Sequence, residues 1–359
     1  MNLNSNFWKN KKVFITGHTG FKGSWLTLIL NLLGAKVYGY ALNPISKPNF
    51  FDGAGLSKFL EKDYRNNIQD LKKLKSAIKK TKPSVVIHLA AQSSVLVSYK
   101  KPIDTVKSNV LGTLNILEAI SKEKSIKVGL IITTDKVYLN LEKKKKFKEN
   151  EPLGGHDLYS GSKAASEIIF QSYKKSFFQN TNCCISTARS GNCIGGGDWT
   201  KDRIMKDCAE KLIKNKKLVI RRPKATRPWQ HVIEPLVGYL VLAQKMFKSS
   251  KYSGAWNFGP SSKNNLKVID LVKFCKKNLK SKSQIKIIKN KYYESTNLAL
   301  DSSKSFNNLN WETLFTAKEA IKNTLDWYKF YFNRNSRKKI ISFSKKQIKN
   351  YFNLLNKKD

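Results

Sequence analysis

Along the first half of the chain, short apolar runs rich in β-branched residues alternate with longer stretches whose apolar positions recur every three or four residues. The runs are KVFIT (12–16), KVYGYAL (36–42), SVVIHLAAQ (84–92) and VGLIITT (128–134). The stretches are SWLTLILNLLGA (24–35), 69–81, NVLGTLNILEAI (109–120) and YSGSKAASEIIFQSY (159–173). A strand that is apolar along its whole length must be covered on both faces. Strand followed by helix, repeated, therefore predicts an α/β fold with a Rossmann-type doubly wound parallel sheet. Gly34 closes the first helix as its C-cap. Such sheets bind ligands at the carboxyl ends of their strands. After about residue 186 the pattern loosens into loops, SGNCIGGGDW (190–199) and RRPKATRPWQHV (221–232), with short helices and the strand KLVI. The expected division is a Rossmann domain over 1–186 with about 231–262, and a smaller C-terminal lobe over 187–230 and 263–333. A basic helical tail spans 334–359, with Ile341, Ile348, Phe352 and Leu355 on one face, and is expected to be peripheral and solvated rather than docked.

Composition changes this picture little. The 359 residues suffice for a large core, and 40% hydrophobic with 11% aromatic residues is globular. The net charge of +43 could mark a polyanion binder. However, it comes from 60 lysines spread over the whole chain against eight arginines. Readers of nucleic acid favour clustered arginine, so the charge reads as a lysine-rich composition and no nucleic-acid partner is expected. Five cysteines without a CxxC pair give neither a disulfide framework nor a zinc site, and no metal is expected. The N-terminus has no apolar signal region and no window reaches membrane-spanning length, so a soluble cytoplasmic protein is expected.

Two motifs carry chemistry. VFITGHTGFKG sets Gly17, Gly20 and Gly23 between the first strand and first helix. Glycine there lets the backbone turn tightly and lets a pyrophosphate approach the amides and positive dipole of the helix N-terminus. Lys22 could reach a phosphate, and His18 reads as a solvent-facing loop residue. The second strand ends YGYALNP, without the Asp or Glu that would hold an adenosine ribose. Tyr159 and Lys163, four apart, share a helix face. There the ammonium can lower the phenol's pKa and make it a general base. Chance alone gives about two such pairs in so lysine-rich a chain; placement at a helix start after the TTDK strand end gives this one meaning. That strand end sets an acid, Asp135, beside a base, Lys136.

Together GHTGFKG, HLAAQ, NVLGTLN, YSGSK and ARSGNCIGGGDW resemble the extended short-chain dehydrogenases that act on nucleotide sugars. More narrowly, GHTGFKGSWL, GNCIGGGDW and RPWQHVIEPL resemble the branch of that family that dehydrates CDP-glucose, over roughly residues 7–332. The resemblance implies a retained NAD, a nucleotide-sugar substrate seated on the smaller lobe, and a homodimer or larger homo-oligomer. It implies that Thr134, Tyr159 and Lys163 surround the sugar 4-hydroxyl and that Asp135 protonates the departing C6 hydroxyl. Lys136 stands where dTDP-glucose dehydratases carry a glutamate base, so either Lys136 or Tyr159 takes the C5 proton. Gly17, Gly20, Phe21, Lys22, Gly23, Asn67, Ile68, Ala90 and Ala91, with Tyr159 and Lys163, are the implied cofactor contacts. Gln92, Asn192, Arg203, Arg222 and Arg227 are the implied substrate contacts. Trp199 and Trp229 are either core or stacking platforms. The alternatives are a UDP-, GDP- or dTDP-sugar dehydratase or epimerase, which Asp135 disfavours in its epimerase form, and a basic nucleic-acid binder without catalysis.

Overall fold

A computed structural model describes residues 1–142, 145–261, 264–288 and 298–357. Seven strands among them form one sheet: β1 (Lys12–Thr16), β2 (Lys36–Ala41), β3 (Lys62–Arg65), β4 (Val85–His88), β5 (Val128–Ile132), β6 (Cys184–Ser190) and β7 (Gly254–Phe258). Their spatial order is β7-β6-β5-β4-β1-β2-β3 and every pairing is parallel. Alternate side chains point to opposite faces, which splits the core in two. Phe14, Val86 and Ile131 meet the helices α2 (Leu71–Thr81), α3 (Gly112–Ser121) and α4 (Leu158–Phe177). Val13, Ile15, Val85, Ile87 and Leu130 belong to the other cluster, with α1 (Phe21–Leu32) and a later helix, Ile233–Met246.

The register decides where the site lies. Thr16 pairs with His88, His88 with Ile131, and Ile131 with Thr187. The segments after β1, β4, β5 and β6 therefore leave the sheet at one rim. Chain order reverses between β1 and β4, so that rim contains the topological switch point where ligands bind in such sheets.

Beyond β6 the chain builds smaller pairs: Leu218–Ile220 with Ile285–Ile287, and Thr226–Pro228 with Asn265–Lys267. The helices there are α5 (Ile204–Ile213), α6 (Ile233–Met246), α7 (Val268–Asn278), α8 (Ala317–Phe332) and α9 (Arg337–Asn356). Trp199 and Trp229 are core residues. Trp199 packs on Tyr328, Tyr331 and Phe332, and the Trp229 indole donates to the Leu266 carbonyl at 3.1 Å. The solvated tail helix is corrected. In α9, Ile340, Ile341, Ile348, Tyr351 and Leu355 are buried against the body. The Tyr351 hydroxyl donates to Glu234 Oε2 at 2.6 Å, and Trp327 donates to Ser344 at 2.9 Å. Its apolar stripe outweighs the repulsion among its lysines because those extend into solvent.

Behind β5 and β6 a fully buried ion pair locks α4 to the sheet. Arg189 meets Glu167 through Nε and Nη2 at 3.0 and 2.8 Å, and Glu167 also accepts from Thr133 and Thr187. Removing one partner of such a pair leaves an uncompensated charge in the interior. Arg189→Met is expected to cost about 3–5 kcal/mol, read as a lower midpoint in urea unfolding.

Candidate active site

The glycine loop is built as a cradle. Gly17 has φ +76°, and a Cβ there would meet the Ala90 backbone at 2.6 Å, so the turn packs directly on the segment after β4. The Ala90 amide in turn donates to Thr16 Oγ1 at 3.2 Å. Gly20, the N-cap of α1, has no side-chain cap, and a Cβ on it would meet only the Gly17 carbonyl, at 3.4 Å. An uncapped helix N-terminus with an open glycine beside it fits a pyrophosphate. Phe21, Lys22 and Gly23 form the first turn of that helix.

Several expected contacts take other partners. Lys22, expected at a phosphate, has its Nζ donating to Ser190 Oγ at 2.7 Å and to the Tyr239 hydroxyl at 3.4 Å. His18 is not solvent-facing but fully buried, its ring lying over Gly39 and Nε2 2.9 Å from Asp63 Oδ1. Burial alone would raise the Asp63 carboxyl. Hydrogen bonds from His18 and Arg65 outweigh it and hold the group below its ordinary range. The acid missing from the end of β2 thus has a counterpart on β3, already bonded to His18 and Arg65. Ile68 is core, packed under Gly112, while Asn67 Oδ1 accepts from the Gln69 amide. Ala91 is half-buried beside Ala90.

At the end of β5 the chain closes into a single turn, Asp135–Val137, whose N-cap is Thr134. Thr134 Oγ1 donates to Asp135 Oδ1 at 2.9 Å. Asp135 Oδ2 is buried without a hydrogen-bond partner and lies 2.6 Å from where a Cβ on Gly191 would sit. Only glycine leaves that oxygen room. Burial pushes the Asp135 carboxyl above the ordinary range, against the pull of Lys136, the Thr134 hydroxyl and the Arg227 guanidinium. Lys136 is half-buried and lines a small cavity of about 10 Å³ with Gly155, His156, Asp157 and Ser160.

Asp157 caps α4 by accepting from the Ser160 amide and hydroxyl at 3.0 and 2.6 Å, which fixes where Tyr159 and Lys163 project. Both are buried. The Tyr159 phenol is raised by burial, with Thr134 and the cations Arg203 and Lys22 pulling it down and Asp135 pushing it further up. Lys163 is pushed down to about 8, first by burial and then by the Lys22 charge, while Glu167 opposes. Its Nζ faces the Ile132 carbonyl at 3.4 Å. Arg203 and Lys22 are among the positive groups acting on Tyr159, in addition to the Lys163 that the four-residue spacing points to.

Of the expected substrate contacts, Arg227 is buried within electrostatic reach of Asp135, and its Nη1 donates to the Thr226 carbonyl at 3.0 Å. Arg203 spans the mouth, donating to the Ser93 carbonyl at 3.1 Å and lying 3.6 Å from Asp198. Asn192 is half-buried and its carbonyl accepts from the Gln230 amide at 3.3 Å. Arg222 is half-buried in the turn before Thr226. Gln92, expected to face the sugar, has an amide that donates to the Ser94 carbonyl and Thr105 Oγ1 and accepts from the Ser94 amide.

The residue that sequence reading missed is Asn109. Its Oδ1 accepts from the Gln92 amide at 2.8 Å, and its Nδ2 donates to the Gln92 carbonyl at 3.0 Å and Ser162 Oγ at 2.8 Å. It fastens the loop after β4 to the helix that carries Tyr159. The available signal was a buried amide on an otherwise apolar helix face, which must find partners. Among the described residues no cluster of three or more His, Cys, Asp or Glu could hold a metal, and no helix is long and apolar enough to cross a membrane.

Comparison with known proteins places this geometry. The chain is 38% identical over 357 residues to CDP-glucose 4,6-dehydratase of Salmonella typhimurium, covering 97% of this chain and 98% of that one. It is 25% identical to the dTDP-D-glucose 4,6-dehydratase of Bos taurus, over 93% of both chains. Among solved structures, the dTDP-glucose 4,6-dehydratase of Bacillus anthracis in complex with NAD superposes with TM-score 0.76 at 22% identity, covering 89% and 97% of the two chains. The UDP-glucose 4-epimerase of Thermotoga maritima gives 0.79 at 20% identity, covering 89% and 99%, a likeness of fold. The family model for GDP-mannose 4,6 dehydratase matches residues 14–324, from within the first strand into α8, and the chain belongs to that family of nucleotide-sugar 4,6-dehydratases.

Proposed function

We propose that this protein converts CDP-glucose to CDP-4-keto-6-deoxyglucose by internal redox and loss of water. The observation that carries the reading is the buried Asp135 carboxyl, its unpartnered oxygen set against Gly191 and its pKa raised by burial, one residue from Thr134 and close to Tyr159. An epimerase moves hydrogen at one carbon and needs no second acid; a dehydratase must protonate a hydroxide as it leaves. The choice of CDP follows the 38% identical relative, whose substrate is named as CDP-glucose.

In this reading Thr134 orients the sugar 4-hydroxyl and Tyr159 removes its proton. The C4 ketone so formed makes the C5 hydrogen acidic, and Lys136 or Tyr159 accepts that proton as Asp135 delivers one to the C6 hydroxyl, which departs as water. NAD, when bound, supplies the acceptor for the C4 hydrogen and the donor for C6. The cradle at Gly17, Gly20, Phe21 and Gly23 would hold its pyrophosphate, with Ala90 and Ala91 beside it and Lys163 near its ribose. Arg227, Arg203 and Asn192 would meet the substrate diphosphate, where charge-assisted donors are strongest. Incubation with CDP-, dTDP-, UDP- and GDP-glucose tests the assignment. The alkali-induced absorbance of a 4-keto sugar is expected with CDP-glucose; its appearance with another sugar alone would reassign the base.

Two further features belong to the same reading. Ile103, Leu111 and Ile168 are exposed on the helices flanking α4 and on α4 itself, an apolar surface that a second copy would cover as a homodimer. Sedimentation velocity tests this, since a monomer at micromolar concentration contradicts it. Five free cysteines suit the reducing cytoplasm.

A further inference from the structure

Lys22 is a half-buried cation with an unusual environment. Its Nζ lies 2.7 Å from Ser190 Oγ and 3.4 Å from the Tyr239 hydroxyl, and these two oxygens are 2.6 Å apart. Among the described residues no carboxylate lies within ion-pair distance of it. Its ammonium is thus held by neutral hydroxyl oxygens rather than by a paired anion. Chains keep such a group where something nearby becomes negative. Two elements carry reacting groups on which its charge acts: Asp135 from the turn after β5, whose Oδ2 lies against Gly191, the residue after Ser190, and Tyr159 and Lys163 from α4. Cys193, beyond Ser190, and Tyr239 on α6 complete its titratable neighbours.

We infer that Lys22 is a positioning residue whose ammonium, held beneath the reacting groups by Ser190 and Tyr239, stabilises the negative charge that Tyr159 and Asp135 carry during turnover. This rests on the dehydration proposed above but assigns Lys22 a task other than phosphate binding. The hydroxyl pair explains the geometry: two acceptors hold the Nζ at Ser190, the last residue of β6. Tyr159 also faces Arg203 and Asp135, and Lys163 faces Glu167. Those groups remain when Lys22 is replaced, so the change measures Lys22 alone. Its positive charge lowers both Tyr159 and Lys163; removing it moves both upward and leaves less phenolate at neutral pH.

The test compares Lys22→Gln, which keeps a donor for Ser190 and Tyr239, with Lys22→Arg, which keeps the charge. For Lys22→Gln the acid limb of the kcat profile with CDP-glucose is expected to move about one pH unit alkaline, roughly tenfold at pH 7. The Kd for CDP should be unchanged, and Lys22→Arg should recover most of the shift. A profile that superimposes on the parent's, with only a lowered melting temperature, overturns the proposal. So does weakened CDP or NAD binding without a shifted profile, which returns Lys22 to phosphate contact. A second readout needs no turnover: the Tyr159 phenolate absorbance, taken as the difference from Tyr159→Phe, should titrate at higher pH with Lys22→Gln. A parent protein that turns over no nucleotide sugar sinks the dehydratase reading, while this titration still decides the role of Lys22.

Discussion

Tyr159→Phe is expected to lower turnover of CDP-glucose by about 10²–10⁴-fold, the usual worth of a positioned proton acceptor. The substitution removes one oxygen from a buried ring on α4 and creates no cavity, so the melting temperature should stay close to the parent's. Without the phenol the 4-hydroxyl proton has no acceptor next to Thr134, and Lys163 cannot substitute because its Nζ faces the Ile132 carbonyl. The loss should fall on kcat with little change in KM, since the diphosphate contacts are elsewhere. A variant that keeps parent kcat would remove Tyr159 from the reaction.

The second large effect is Asp135→Asn. Water loss should slow by about 10²–10⁴-fold, while oxidation at C4, which needs Thr134 and Tyr159, continues. Rapid quenching and mass spectrometry should then find a bound sugar that has lost two hydrogens yet retains its C6 hydroxyl. Stability should move the opposite way. The folded-state pKa of Asp135 is raised, so the folded protein binds the proton more tightly than the unfolded chain. Stability is therefore lost as pH rises from the unfolded value, near the ordinary 3.9, through the higher folded one. Asparagine has no such dependence, and its advantage in urea midpoint should grow from pH 4 toward neutral. Parent-rate elimination by the variant would mean that another group is the donor.

How much of this was legible depended on whether a residue's partner lay near it in sequence or across the fold. The four apolar runs of the first half are strands because each is buried on both faces, and the ends of β1 and β5 fall close to where the runs stop. Gly17, Gly20 and Gly23 could be read because strand, turn and helix are contiguous. The helix α6 was obscured by its success: every residue but Lys245 is buried, so no polar face marks its period. The strand β7, GAWNF, gives no run of β-branched residues and is strand only because β6 pairs with it. His18 looked exposed in the sequence because Gly39 and Asp63, which enclose it, come from two other strands. For Gln92, expected at the sugar from the family resemblance, and Lys22, expected at a phosphate from its loop, sequence spacing does not reveal their protein partners: Thr105 and Ser94 for one, Ser190 and Tyr239 for the other. The tail α9 was underestimated because its lysines dominate its composition, while the stripe from Ile340 to Leu355 decides its packing.

Internal redox is the claim from which the rest follows, and isotope transfer tests it most directly. With CDP-glucose deuterated at C4, the deuterium should be recovered in the C6 methyl group of the product, without dilution by solvent. Deuterium returned to C4 of an epimerised hexose, or washed out into water, would contradict it.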